Sequence, residues 1–462
     1  MNERSLRWRG LAVLVLLNAV APMVIVGLAL SEHAIGVSLG FGVRSQVLLL
    51  ESFIMAVLIG TLLSGPLIAR HGIVRVLGGS VLGACALLVL LAAHALWLKD
   101  PTALELAALT FLLGAFVAPL SPATQVLAAS MLPEKDRACR LMVWTGARTM
   151  GLIAGALAAG ALLAHHDWGT VFLLPLLLLL PALPLLGSLP RSDVPHSAFD
   201  FRGLGLLLAW LLPLALILAF ADSWHGWGVG PVMAVAVVIG LPLLLFLRHG
   251  LRAPAPLLRL DALWIPGVAL ALALVFLLNI VTTGQYEVLF VQDVLGWAST
   301  AAGWFSLAYA FGQLAGVGAS ILLAPRLGDG PLVGIGLLIL IAGMIGYTRF
   351  DPTAGTLATV TPHLLTGFGS GVVLPLLSVI AFRRTPESRR AEVSSLLVFT
   401  YILGTEIGLD GLGVVYGHFA EQSQMAGFHG VFVTELGIAL SCLLIALLLL
   451  WRQRSSNTRN PS

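Results

Sequence analysis

Gly65-Pro-Leu-Ile-Ala-Arg-His-Gly-Ile-Val-Arg75 is a tight, basic joint between two apolar runs, 46–69 and 76–94, each long enough to cross a bilayer as a helix. So short a connection lays the two helices side by side and antiparallel. Gly65 permits close approach of backbones and Gly72 permits the turn. Arg70 and Arg75 fix the side of the membrane on which the joint lies. A plainer echo, Ala324-Pro-Arg-Leu-Gly-Asp329, recurs at a comparable junction, so Arg326 and its neighbours suggest that the chain has two related halves.

Composition narrows the class. Of 462 residues, 58% are hydrophobic and only 10% charged, and the mean hydropathy is +0.99. A water-soluble domain of this length could not cover its surface with so few charges. Apolar runs recur from end to end, so the predicted fold is an all-α polytopic membrane protein with about fourteen spans, the first near 10–30 and the last near 429–451. The net charge of +3 does not point to nucleic acid, because the basic residues sit in short loops. Cys85, Cys139 and Cys442 have neither zinc spacing nor an obvious disulfide partner. The basic N-terminus followed by an apolar run is read as a retained first span rather than a signal peptide.

Orientation follows from the basic residues. With both termini in the cytoplasm, all 25 Lys and Arg fall on the inner face except Arg44, Lys99 and Arg349 outside and Arg148 within a span. Adding or removing one span would scramble that alternation. The organisation expected is an N-terminal six-helix bundle, 1–190, an inserted helix pair with linkers, 191–260, and a C-terminal six-helix bundle, 261–454. A polar tail, 455–462, is expected to be disordered.

Several strings then carry a resemblance. Gly65–Arg75 is similar to the pattern Gly-x-Leu-Ala-Asp-Arg-x-Gly-Arg between a second and third span. Gly114 to Pro122 resembles a fourth-span motif. Gly151-Leu-Ile-Ala-Gly-Ala-Leu-Ala-Ala-Gly160 resembles the fifth-span motif Gly-x-x-x-Gly-Pro-x-x-Gly-Gly. Asp167-Trp168 with Phe172, Asp200-Phe-Arg-Gly203, and Gln292-Asp-Val-Leu-Gly296 before Gly303 follow in order. Together they resemble the major facilitator superfamily, in particular its fourteen-span drug/proton antiporter family. The resemblance implies two rocking bundles, a proton-coupled exporter, a gate role for Gly65, Arg70, Gly72 and Arg75, and a role for Gly151, Gly155 and Gly160 in close helix packing. The chain departs from the pattern at Ala69 (family Asp), Thr110 (family Arg), Ala156 (family Pro) and Ala159 (family Gly). Between Leu17 and Leu30 only Asn18 is polar, where an acid is frequent in the family.

Physics supplies its own candidates. A charge at bilayer depth costs about 2.5–3.5 kcal/mol on insertion scales and normally has a role. Glu51, Arg148, Glu406 and Asp410 lie inside spans, with Glu287 and Glu435 nearer the outer ends. Glu406 and Asp410 are four apart and share one helix face, where two carboxylates in a low dielectric suit proton uptake and release. Glu51, Glu406 and Asp410 are expected to share an outer vestibule. Asn18, Asn279, Gln285, Tyr286, Tyr309 and Gln313 are candidate polar contacts for a central cavity, against the plainer role of helix–helix hydrogen bonding. Arg148 either holds an anion or pairs with an acid to stabilise the fold.

Enzyme motifs are lacking. His165-His166-Asp167 sits in a short turn without a His-Glu-x-x-His helix, and Gly-Phe-Gly-Ser-Gly, 367–371, lies where a span packs. No phosphate-binding loop is present, so ATP is not expected as the energy source, and neither is a cofactor or metal. The expectation is a monomeric inner-membrane secondary transporter that exports small hydrophobic or amphipathic compounds against protons. Two alternatives stay open: a carrier of an anionic metabolite using Arg148, and a non-transporting sensor or partner protein on a transporter scaffold.

Overall fold

The computed structural model describes residues 3–459 except 42, 98–100, 131–136, 188, 190–199, 220–228, 254–255, 258–259, 266, 298, 354 and 384. Most of the linker expected at 191–202 and the end of the tail beyond 459 lie outside the described residues, as do Lys99, Lys135, Arg191, Arg259 and Arg384 of the orientation count. The described residues hold helices and turns and no strand. The helices are α1 (Glu3–Asn18), α2 (Val20–Leu39), α3 (Val43–His71), α4 (Ile73–Trp97), α5 (Ala103–Val117), α6 (Leu120–Ser130), α7 (Arg137–Leu163), α8 (Leu176–Leu186), α9 (Phe201–Ala219) and α10 (Val229–Arg252). They continue with α11 (Val268–Val281), α12 (Gln285–Asp293), α13 (Ser299–Leu327), α14 (Asp329–Tyr347), α15 (Thr356–Arg383), α16 (Arg390–Ala420) and α17 (Gln424–Arg459).

Thirteen segments among the described residues are long and apolar enough to span a bilayer. Three of them are helix pairs broken partway: α1–α2 at Ala19, α5–α6 at Ala118 and Pro119, and α11–α12 at Thr282 to Gly284. The seventh expected span, 203–221, corresponds to α9 (Phe201–Ala219), which is apolar over Phe201–Leu214. This is therefore an all-helical, multi-pass membrane protein.

The chain divides into two compact units. The first comprises Met1–Arg140, Ala147–Ile265 and Thr385–Phe399; the second comprises Leu141–Gly146, Pro266–Arg384 and Thr400–Ser462. Helix α16 thus contributes its first turns to unit 1 and the remainder to unit 2.

In unit 1 the joint after α3 is a left-handed Gly72 (φ 79°), and α4 begins at the next residue. Unit 2 repeats the device: Gly328 (φ 80°) separates α13 from α14. Only glycine adopts these angles without strain, which is why both echoes carry it. Asp329, at the start of α14, is ion-paired with Arg383 at the end of α15. Close helix contacts use glycine as well. A Cβ at Gly151 or Gly155 of α7 would collide with the backbone of Ala19 or Met23. Gly312 and Gly316 of α13 meet the backbone of α15 at Leu364 and Phe368, while Gly367 and Gly371 of α15 meet that of α13 at Tyr309 and Gln313. The string at 367–371 is therefore a packing surface, as its sequence suggested.

The α9–α10 pair is pinned at its base by Asp200. This N-terminal cap of α9 accepts hydrogen bonds from Gly203 N (2.8 Å) and Leu257 N (2.9 Å) and pairs with His249 Nε2 at 2.8 Å. Burial alone would raise the Asp200 carboxyl, but those hydrogen bonds outweigh it and hold the group below its usual range. Trp210 of α9 packs on Phe246 of α10 and on Phe399 at the start of α16.

Candidate functional site

Unit 1 holds Asn18, Glu51, Arg148 and the Gly65–Arg75 joint. Asn18 is buried at the end of α1, where its carbonyl accepts a hydrogen bond from Ser121 Oγ at 2.8 Å. It therefore ties α1 to α6. Glu51 is half-buried on α3. Its neighbour in sequence, Ser52, is hydrogen bonded to Thr110 of α5 at 2.7 Å. Thr110 stands where the resembling family carries Arg, so a neutral hydroxyl pair occupies a position charged elsewhere. Arg148 is half-buried on α7 and has an interaction partner.

The joint packs on the start of α16. A Cβ at Gly65 would stand 3.0 Å from Ser395 Oγ and 3.3 Å from the Ala391 carbonyl oxygen. One residue earlier, Ser64 Oγ and Ser395 Oγ are 3.0 Å apart. Ser394 Oγ donates within reach of Gln125 Oε1 (2.6 Å) and the Pro122 carbonyl oxygen (2.9 Å). Small side chains and hydroxyls thus hold these turns against α3 and α6. Two ion pairs flank them, Arg389 with Asp261 and Arg389 with Glu392. Arg70 is half-buried and Arg75 exposed.

Unit 2 holds Glu406, Asp410 and the remaining polar candidates. Gly404 and Gly408 of α16 press against α11 at Phe276, Asn279 and Ile280. Glu406 and Asp410 each follow one of these glycines by two residues, about 200° around the helix. Both carboxylates accordingly share a face of α16 turned away from α11. Glu406 is buried, Asp410 half-buried, and both have interaction partners. Asn279 is buried with its amide on the Val275 carbonyl at 2.6 Å, so it serves its own helix. Gln285 is exposed at the start of α12. Tyr309 and Gln313 of α13 converge on Ser370 of α15, at 3.0 and 3.4 Å. Arg326 is exposed near the end of α13.

Two acids that the sequence places toward span ends, Glu287 and Glu435, prove to be the most deeply buried carboxyls among the described residues, at 1% and 0% exposure. Charge inside an apolar run reveals such residues; their degree of enclosure depends on neighbours from other helices. Buried His363 on α15 gives still less warning. Its Nδ1 lies 2.8 Å from the Tyr347 hydroxyl, and its ring stacks on Phe305 at 4.0 Å.

Comparison with known proteins places this arrangement. The multidrug efflux pump LfrA of Mycolicibacterium smegmatis is 26% identical over 324 residues, covering 69% of this chain. The chain spans 64% of the length of LfrA. The puromycin resistance protein pur8 of Streptomyces alboniger is 27% identical over 491 residues, covering 98% of this chain and 92% of its own. The methyl viologen resistance protein SmvA of Salmonella typhimurium is 26% identical, covering 88% and 82%. Among solved structures, the proton:xylose symporter XylE matches with a TM-score of 0.70 at 14% identity, over 96% of this chain and 95% of that one. The human organic anion transporter MFSD10 gives 0.66 at 18% identity, over 96% and 100%. LfrA, XylE and MFSD10 are a pump, a symporter and a transporter, not enzymes. With the model of the Major Facilitator Superfamily matching residues 11–409, the chain belongs to that superfamily.

Proposed function

We propose that this protein is a fourteen-span secondary transporter of the inner membrane with both termini in the cytoplasm. It couples proton entry to export of small hydrophobic or amphipathic organic compounds by alternating access. The observation that carries this reading is the Glu406/Asp410 pair. Two carboxylates lie one turn apart inside an apolar span, on the side of α16 opposite the glycines that meet α11. Charges at that depth are retained where an ion or substrate uses them. LfrA is an efflux pump, and pur8 and SmvA are resistance proteins, which supports export of foreign compounds.

In this reading the Gly65–Arg75 joint and the first turns of α16 form the cytoplasmic latch, and Glu51 is a further proton or substrate contact. Asn18 and Asn279 help to fix packing, and the Tyr309–Ser370–Gln313 group offers hydrogen bonds to cargo. Arg148, which has a partner within the protein, holds the fold rather than an anion.

The test is transport in proteoliposomes under an imposed pH gradient, with ethidium as the probe. Glu406→Gln with Asp410→Asn is expected to abolish gradient-driven ethidium movement while leaving the protein folded. Undiminished transport by that variant would falsify the coupling role.

A further inference from the structure

Unit 2 encloses a second pair of acids that the foregoing mechanism does not use. Glu287 of α12 and Glu435 of α17 are sealed from the surface. Glu287 Oε2 and both carboxyl oxygens of Glu435 have no hydrogen-bond partner among the described residues. Phe290, three residues after Glu287, packs on Phe432, three residues before Glu435, with ring centroids 6.0 Å apart, and Phe432 packs on Tyr347 of α14 at 5.7 Å. The titratable groups around them are Tyr347, Tyr309 of α13 and His363 of α15.

No ion pair among the described residues involves Glu287 or Glu435; Arg383, an arginine of unit 2, is paired with Asp329. An acid that merely fixes packing is hydrogen bonded or ion-paired, because burying an uncompensated charge costs several kilocalories. Neither explanation serves Glu435, and Oε2 of Glu287 is likewise without a partner. Two enclosed carboxyls without a counter-charge are accommodated by a proton, which removes their charge and their mutual repulsion together.

The surroundings also supply a moving part. Between α11 and α12 the span is broken over Thr282 to Gly284. Gly284 is left-handed (φ 74°), its position lies against the His363 ring, and the Thr283 hydroxyl is buried without a partner. Broken spans of this kind line ion sites in other transporters. Helix α12 reaches α16 as well: the Tyr286 hydroxyl, next in sequence to Glu287, donates to the carbonyl oxygen of Leu409 at 3.2 Å, next in sequence to Asp410.

We propose that Glu287 and Glu435 form an enclosed proton-binding site, walled by Tyr347 and His363, and that Tyr286 links its state to α16 at Asp410. Binding makes one O–H bond on a carboxylate oxygen and release breaks it; no other bond changes. The site stands independently of what is transported. The use of its proton in transport rests on the reading proposed above.

The test uses the full-length protein in lipid membranes and pH-difference infrared spectroscopy, which separates the carbonyl stretch of a protonated carboxyl from the carboxylate bands. Wild type is expected to show the protonated band at neutral pH and to lose it on alkalinisation. Glu287→Gln with Glu435→Gln is expected to diminish that signal, leaving the share of Glu406 and Asp410. Should the double variant fold poorly, Glu435→Met alone, which fills the same space without a titratable group, is expected to remove part of it. A wild-type signal left undiminished by these substitutions, or its absence from wild type, overturns the site. A second arm measures ethidium movement under a pH gradient. Loss of gradient dependence in the double Gln variant, with downhill exchange preserved, supports coupling through this pair; full coupling overturns it. If wild type moves no ethidium, the export reading fails for that compound and the infrared arm still decides the site.

Discussion

Replacing single glycines of α7 by alanine separates packing from backbone propensity. In an exposed helix interior, Gly→Ala is worth up to about 1 kcal/mol in favour of the helix. At Gly160 an added methyl meets nothing within 4 Å, so Gly160→Ala is expected to be neutral or stabilising by that amount. At Gly151 the methyl would stand 2.7 Å from Ala19 Cα and 2.8 Å from its carbonyl carbon, overlapping the carbonyl oxygen too. Backbone cannot rotate away as a side chain can. The helices must part by about 1 Å, and overpacking of this kind costs about 1–3 kcal/mol. Gly155→Ala, with Met23 Cα at 2.9 Å, belongs between the two. Reversible unfolding in mixed detergent micelles, followed by tryptophan fluorescence, should rank the variants 160, 155, 151 from most to least stable. The two extremes should differ by about 2–3 kcal/mol. Equal stabilities for Gly151→Ala and Gly160→Ala would refute the claim that the break at Ala19 is where α7 docks.

Asp200→Asn should loosen the α9–α10 pair and lower stability by about 2–3 kcal/mol, since it weakens hydrogen bonds to a charged acceptor. Because the folded protein holds the Asp200 carboxyl below its ordinary value, that contribution is complete above about pH 4 and is lost as pH falls further. Acid unfolding of wild type and variant should therefore converge at low pH. Ser394→Ala removes the hydroxyl bonds to Gln125 and Pro122 and should cost about 1–1.5 kcal/mol. In a Ser395→Cys background, where the position is buried, maleimide labelling is expected to rise about tenfold. Gly65→Leu should raise labelling further, because the Ala391 carbonyl and Glu392 Cα leave its side chain no room.

Much of the architecture is written in hydropathy and glycine. The Gly72 and Gly328 joints are legible because a helix that stops and restarts within two residues needs a left-handed turn, and few residues besides glycine provide one. The breaks at Ala19 and Thr282 to Gly284 escaped reading because apolar residues continue on either side, so a hydropathy profile passes over them. The division of α16 is also hidden. Ser64, Gln125, Ser394 and Ser395 are unremarkable singly and gain meaning only when residues some 270 to 330 positions apart are hydrogen bonded. Acids inside spans stand out by charge alone, yet the sequence ranked Glu406 and Asp410 above Glu287 and Glu435. Spacing reveals a shared helix face; enclosure by α12, α14, α15 and α17 does not follow from spacing.

The two joints share a turn but are held by different forces. In unit 2, Asp329 anchors the start of α14 to Arg383 by an ion pair. In unit 1 the resembling family's acid is Ala69, and the joint rests instead on Gly65 against α16 and on the hydroxyl contacts of Ser64, Ser394 and Ser395. A neutral hydrogen bond contributes about 0.5–1.5 kcal/mol, whereas one to a charged group contributes about 1.5–3 kcal/mol. Arg383 is 64% exposed, so solvent screens the unit 2 pair and makes it dependent on salt, as the neutral hydroxyl contacts of unit 1 are not. The latch proposed above would be served by contacts of this size, which together come to a few kilocalories and leave no buried charge stranded when they part. The loss of the family's charge from the joint therefore does not argue against transport. In the proposal made above the working charges lie in the spans instead, where Glu406, Asp410, Glu287 and Glu435 sit at depths at which retaining an acid demands a reason.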